Sequence, residues 1–456
     1  MAGLQGLAKV VLPMLRVNHR AFARPRCVKL AFLLVCFLSA SFFTGSARAQ
    51  PEVELELWTW AMHPYFTSYL DDLVGEFERS NPGVKVHQVD VPGDAITRKY
   101  FAAGAAGKLP DVVNLPDTVF LRFAQLGGLM PLDHLLPGDP NAVYVKPALD
   151  QCRVNGKLFG LPWYLSTEIA VVNESLLAQG GLNSASLPRH WDQLLKLAKS
   201  FHERTGKYLF ILRLGDVDLL NMITAEGLSP IKPGAGVYQS NLLDPQIQNL
   251  ITRWVQAYRD GLVPRESATA GYAEDVSAFK DQRVAVLNAD AVRSIRSDSP
   301  TLYQMLNVLP GITGQIDKTN IATVEIAVSS QSAHPALAAK LAWLMTSPRW
   351  QERLCEAASR VPGTTQSLSL PEFSMPMDTS DKLKVALGIG CQQLRDSRAQ
   401  SFIPPTGQWP EMTTIFGDQI KRSLLENVPV AVSLKRIDAR WNQLLAGDSE
   451  TLQHQN

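Results

Sequence analysis

The sequence predicts an α/β protein built as more than one lobe, and three observations carry that prediction. Strand-like and helix-like patterns alternate along the chain and do not segregate. The first of them form a strand–helix–strand unit within about forty residues, the mark of a right-handed crossover in a parallel sheet. The 456 residues, 46% hydrophobic and 19% charged, supply enough apolar side chains for two or three domain-sized cores.

The elements follow in order. Val53, Leu55 and Leu57 alternate with glutamates, which is the period of a strand, and the run ends in Trp58-Thr59-Trp60. Phe66, Tyr69, Leu70, Leu73 and Phe77 recur at helical spacing, and Asn81-Pro82-Gly83 stops them. Val84, Val86 and Val89 suggest a second strand, Pro110–Leu115 a third, and Val119–Leu129 a helix ended by Gly127-Gly128. Further on, Trp191, Leu194, Leu195, Ala198 and Phe201 share one helical face. Ile247, Leu250, Ile251, Trp254, Val255 and Tyr258 share another, with Gly261 as the stop. Ile321–Ser330 reads as a strand, the segment from Pro335 as a helix pair broken near Ser347-Pro348, and Pro410–Ala446 as amphipathic helix. Residues 447–456 read as a polar tail.

Charge is uneven. Residues 1–49 hold seven Lys or Arg and no Asp or Glu, and the remainder carries 37 basic against 43 acidic side chains. That mildly acidic body excludes the electrostatic footprint of a nucleic-acid binder. In the N-terminal segment, Arg16, Arg20, Arg24, Arg26 and Lys29 precede the apolar run Leu30–Phe43, and Ala47 and Ala49 occupy the small positions of a cleavage site. That order predicts a secretory signal over residues 1–49, since the run is shorter than the ~20 residues of a spanning helix. Met14 is an alternative start. Cys36 belongs to the apolar run, leaving Cys152, Cys355 and Cys391 in the exported chain. An oxidising compartment permits one disulfide, with Cys355–Cys391 as the candidate pairing, but isolated buried thiols fit as well.

Signatures of catalysis are absent. There is no HExxH, G-x-S-x-G or C-x-x-C, and the eight histidines never reach metal-ligand spacing. GAAGKLP (Gly104–Pro110) has two residues between its glycines where a phosphate loop has four, and precedes a strand, so it reads as a turn. No metal or other cofactor is expected. What stands out is aromatic residues beside turn-formers, in LWTWAMHPY, GLPWYLSTE and PTGQWPEM. Trp191, Trp254, Trp343 and Trp441 lie on apolar helix faces and read as core. Trp60, Trp163, Tyr164 and Trp409 sit at element ends or in loops, where binding residues concentrate.

GKLFGLPWYLSTEIAVVNESLLAQGGL resembles the central signature of the extracellular solute-binding proteins of the sugar type, the maltose-binding-protein-like family that serves ATP-binding-cassette importers. LPRHWDQLL, GKLPDVVNL, LGGLMPLD, AFKDQRVAVLNAD, VLPGITG, SSQSAHPALAAKLAWLMTSPRWQ and SRVPGTTQSL match further pieces, and together they cover nearly all of residues 52–446. Departures fall at Val172-Asn173, where the family has Y-N, at His190, where it has a capping Thr, and at Ala289-Asp290-Ala291, where it has G-P-W with a sugar-stacking Trp. They leave the identity of the ligand open.

The resemblance implies a two-lobed periplasmic-binding-protein fold of type II-like form, each lobe a mainly parallel sheet flanked by helices. It implies lobes of residues 50–162 plus 324–370 and 163–323 plus 371–446. The chain would cross after Leu161-Pro162, return near Ile321–Ser330, and cross again after about Leu370. Ligand would lie between the lobes, beyond the carboxyl ends of the strands. Trp60 would then stand where the first strand meets the cleft, with Trp58 packed under a neighbouring helix. A pyranose offers an apolar face to a flat aromatic and a hydroxyl rim to carboxylates, amides and Arg. By motif position the ligand-binding candidates are Trp60, Asp117, Trp163, Tyr164, Glu168, Asp216, Asn288, Asp290, Arg293, Gly363, Thr364 and Trp409. The implied function is capture of a small carbohydrate, a disaccharide or glucosylated polyol, by hinge closure in the periplasm and delivery to membrane permease subunits, by a monomer without catalysis. Three alternatives stay open. One is a non-sugar solute such as a polyamine or phosphorylated polyol, another a sensor role. The third is an exported glycosidase, which needs two carboxylates ~5–9.5 Å apart.

Overall fold

The structure is a computed structural model that describes residues 53–93, 95–234, 238–404 and 406–453. The expected signal segment, residues 1–49, lies outside the described residues. Among the described residues, eleven strands build two principal sheets. They are β1 (Val53–Trp60), β2 (Val84–Val91), β3 (Val112–Pro116), β4 (Gly160–Thr167), β5 (Ile169–Asn173) and β6 (Tyr208–Phe210), followed by β7 (Val284–Asn288), β8 (Leu306–Pro310), β9 (Thr319–Val328), β10 (Val361–Pro362) and β11 (Ala399–Gln400).

The first sheet has seven strands in the order β10-β4-β9-β3-β1-β2, with β11 added beside β9. Strands β1, β2 and β3 are parallel, as the crossover pattern requires. Strand β9 enters between β3 and β4 antiparallel to both. The second sheet is β8-β5-β7-β6, with β7 and β6 parallel and β5 antiparallel to its neighbours. Both sheets are therefore mixed, because the strands that link them run back against the crossover strands. The passage from first sheet to second is abrupt: β4 continues through Thr167, β5 begins at Ile169, and Glu168 alone lies between. The chain returns between Pro310 of β8 and Thr319 of β9.

The helices form where periodicity puts them. Thr67–Ser80 buries Tyr69, Leu70, Leu73, Val74 and Phe77 on the first sheet, and Gly83 follows with a positive φ of 84° that suits glycine. Trp191–Thr205 buries Trp191, Leu194, Ala198 and Phe201 and ends at Gly206 in the left-handed region. Pro245–Arg259 starts with the Asp244 carboxylate accepting the Gln246 N–H, with Pro at the first turn, and buries Trp254 completely. The expected break at Ser347-Pro348 separates helices Pro335–Met345 and Pro348–Ala358. The C-terminal stretch is two helices, Trp409–Leu425 and Val430–Gln453, separated near Asn427 (φ 58°) and Pro429. The second runs to Gln453, through most of what reads in sequence as a polar tail.

One hydrophobic core surrounds the first sheet and two lie against the second. A smaller cluster holds Cys355 and Cys391 with Leu165, Val361 and Phe373. All three described cysteines are buried free thiols, so the Cys355–Cys391 disulfide is not formed, and burial pushes both thiols up.

Candidate functional site

The end of β1 is shaped by one carboxylate. Asp90 accepts the Thr59 hydroxyl at 2.7 Å and the Met62 N–H at 2.9 Å, and fixes the turn that follows Trp60. The Trp60 N–H donates to Asn114 of β3 at 2.8 Å. Trp58, two residues earlier on the same side, is buried under the helix Ile96–Ala105, with Tyr100 edge-on at 6.3 Å and Lys99 above its ring at 4.0 Å. Trp60 stays half-buried and faces a cavity of about 900 Å³. Tyr65, Phe66 and Tyr164 join it on that wall, and Arg293, Arg296 and Arg360 supply the cations. A second cavity of about 290 Å³ continues from it, sharing Arg293, Ser297, Arg360 and Leu383, and adds Ser166, Tyr272 and Asp290.

These side chains come from both sheets. Trp60 ends β1 and Tyr164 lies within β4, both of the first sheet, while Asp290 and Arg293 follow β7 of the second. Arg360, just before β10 of the first sheet, forms an ion pair with Asp290. Tyr272 donates its hydroxyl to the Asp290 carbonyl at 2.8 Å. Burial pushes the Tyr164 phenol up to about 12, so it stays neutral and can donate a hydrogen bond.

A polar cluster surrounds Glu168 at the passage between sheets. Asn288 donates its amide to the Glu168 carboxylate at 3.1 Å and accepts the Ile312 N–H at 2.8 Å. Arg213 pairs with Asp218 at 2.7 Å and with Asp275 at 3.5 Å. Burial, and then the charge of Asp218, push the Glu168 carboxyl up to about 8 against the opposing pull of Arg213. The same two causes push Asp275 up to about 7, and burial raises Asp216. Glu168, Asn288, Arg213, Asp218 and Asp275 border a space of only about 30 Å³.

Asp117 stands apart, in a cavity of about 300 Å³ with Gln151, Arg153 and Gln400. It accepts the Thr118 N–H at 2.7 Å and the Thr323 N–H at 3.4 Å, yet burial still pushes it up to about 6. Its neighbour Glu325 is fully buried with neither carboxylate oxygen bonded, and burial followed by the Asp117 charge raises it well above the ordinary range.

The structure thus brings Trp60, Tyr164, Asp290 and Arg293 to one connected cleft. Glu168 and Asn288 lie in the adjacent polar cluster, with Asp216 coupled to its charges, and Asp117 lies elsewhere. Four other candidates are buried and do not line the cleft. Trp163 has no exposed surface, because its place in β4 turns it into the first core beside Tyr69. Gly363 and Thr364 are buried and spent on local bonds: the Gly363 N–H donates to Gln351 at 2.6 Å, and the Thr364 hydroxyl bonds Ser367 at 2.5 Å. Trp409 is 4% exposed and packs edge-on against Trp441 at 5.9 Å. Sequence reasoning missed Arg360, Arg296, Tyr65 and Tyr272. Arg360 lies inside SRVPGTTQSL, whose glycine and threonine drew the attention instead.

A family model described as bacterial extracellular solute-binding protein matches residues 63–352. Among curated relatives, the arabinooligosaccharide-binding protein of Bacillus subtilis is 25% identical over 204 residues, 43% of this chain and 46% of that protein. A provisionally named binding protein of Brucella abortus is 26% identical over 165 residues, 36% of this chain. The chain matches only 38% of that relative's length. Among solved structures, one provisionally described as an oligosaccharide periplasmic-binding protein, from Synechococcus sp. MITs9220, superposes with a TM-score of 0.78 at 28% identity. That match covers 87% of this chain and 100% of that one. The sugar-binding protein MalE of Xanthomonas citri superposes with a TM-score of 0.70 at 19% identity, over 88% of this chain and 99% of that one, a likeness of fold.

Proposed function

The chain belongs to the bacterial extracellular solute-binding proteins, and from that premise we propose that it captures a small carbohydrate in the cleft between its two sheets and hands it to a membrane importer. The observation that carries this reading is the cleft's composition. Aromatic rings from the first sheet face arginines of the second across about 900 Å³, within the roughly 300–1,000 Å³ typical of small-ligand sites. Flat rings suit the apolar face of a pyranose, and guanidinium donors suit its oxygen rim. The protein is a binder and not an enzyme, in keeping with its family.

The segment Thr167–Ile169 and the return between Pro310 and Thr319 act as the hinge, and the two lobes are the structures built on the two sheets. A ligand that touches both lobes favours the closed arrangement, because only differential contacts shift such an equilibrium. Cleavage of the N-terminal signal would place the mature chain in the periplasm, where permease subunits of an ABC importer recognise the closed form. The Bacillus and Synechococcus relatives, named for oligosaccharides, support the carbohydrate class.

Small-angle scattering tests this. The exported protein is measured alone and with a panel of disaccharides and glucosylated polyols. A fall in radius of gyration with a sugar supports capture by closure, and an unchanged radius with every member of the panel overturns it.

A further inference from the structure

The cleft is unevenly charged. Three guanidinium groups line its large cavity and, among the described residues, no carboxylate does. Arg360 is neutralised by Asp290. In the adjoining cavity Asp298 is engaged by Lys280 at 2.8 Å. Arg293 and Arg296 remain, and among the described residues neither forms an ion pair. They stand three residues apart on the helix Val292–Asp298, so they share a face. The Tyr303 ring lies 5.8 Å from the Arg296 guanidinium carbon.

Like charges converging on one cavity repel each other. Burial, and next the charge of Arg360, lower the pKa of Arg293 against the opposing pull of Asp290, so the repulsion among these cations is only partly compensated. An anion between them relieves it. Guanidinium matches carboxylate and phosphate in planar, two-pronged hydrogen bonds. The facing wall is Trp60, Tyr65 and Tyr164, which suits a sugar ring. Such a ligand would touch both sheets, the condition for driving closure.

We propose that the cleft takes an anionic carbohydrate, its ring against Trp60 and Tyr164 and its carboxylate or phosphate on Arg293 and Arg296. This rests on the carbohydrate-capture reading and narrows it. It also disfavours a polyamine. The acidic groups that could hold one, Glu168, Asp218 and Asp275, border only about 30 Å³, room for about one water, and Arg213 already occupies them.

The test is calorimetric titration of the exported protein with four probes: a neutral disaccharide, a disaccharide of the same rings carrying a uronic acid, its phosphorylated counterpart, and inorganic phosphate. One charged disaccharide should bind at least about tenfold tighter than the neutral one, and whichever arm does so identifies the anion. Raising the salt should weaken that binding. Arg296→Gln, an exposed position whose folding is checked by a thermal melt, should remove most of the preference, and Arg293→Gln is the second variant. Equal or tighter binding of the neutral disaccharide, or a preference that survives both variants, overturns the anionic class and leaves carbohydrate capture standing. Inorganic phosphate binding as tightly as the charged sugars overturns the sugar-ring half. If neither neutral nor charged disaccharides bind, the carbohydrate-capture reading itself fails.

Discussion

Arg360 and Asp290 are ion-paired across the two sheets, one side chain preceding β10 of the first and the other following β7 of the second. The pair closes one side of the cleft and leaves the aromatic wall facing Arg293 and Arg296. Both partners are about one-third exposed, at 36% and 30%, so solvent screens them and the pair contributes on the order of 1 kcal/mol or less to folding. Under the proposed hinge closure, its main effect would fall on the balance between open and closed arrangements.

Asp290→Asn should therefore leave the thermal midpoint within about 2 °C of the parent. The ligand-free protein should nevertheless expand, read as a larger radius of gyration in scattering. A large loss of stability with no change in radius would assign the pair to the fold instead.

Trp60 and Trp58 share one side of β1 and should separate cleanly. Trp60→Ala should weaken ligand binding about tenfold or more with little change in melting. Trp58→Ala removes a ring buried at 5% exposure and should cost about 3–5 kcal/mol of stability. Chemical denaturation and a binding titration on both variants check the contrast.

Trp409 carries the opposite expectation from the one its motif suggests. It packs on Trp441 in the second core, so Trp409→Ala should destabilise the protein by about 3–5 kcal/mol. Affinity measured on the remaining folded fraction should change little. A stable variant with lost binding would return Trp409 to the site.

Glu168 links stability to pH. Its folded value near 8 lies above the ordinary 4.5, so between those values the folded state holds a proton that the unfolded state has released. Stability is then fully present below about 4.5 and declines as pH rises through about 8. Asp275, near 7, adds to the same decline. Melting midpoints at about pH 5 and about pH 8 should fall with pH, and Glu168→Gln should flatten the fall. An identical slope in the variant would show that Glu168 is already ionised.

Much of the fold is legible in the chain because it is local. The faces of Thr67–Ser80, Trp191–Thr205 and Pro245–Arg259 follow from 3.6-residue spacing, and their stops from glycine. Even the division of labour between Trp58 and Trp60 follows from distance to a strand end. The antiparallel insertion of β9 between β3 and β4 does not, because pairing across some two hundred residues leaves no periodic trace. Trp60, Tyr164, Asp290 and Arg293, which stand beside turn-formers or match a motif, do meet in one cleft. The same cue fails for Trp163, Gly363 and Thr364: it detects an element end and cannot distinguish an open one from one covered by a helix. Arg360 and Arg296 become visible only when two sheets meet.

The most direct test is calorimetric titration of the exported protein with neutral and charged disaccharides and glucosylated polyols, followed by chromatography of the recovered ligand. Saturable one-to-one binding of a carbohydrate returned intact is the predicted result. Failure of every carbohydrate to bind, or recovery of a cleaved sugar, would contradict capture without chemistry.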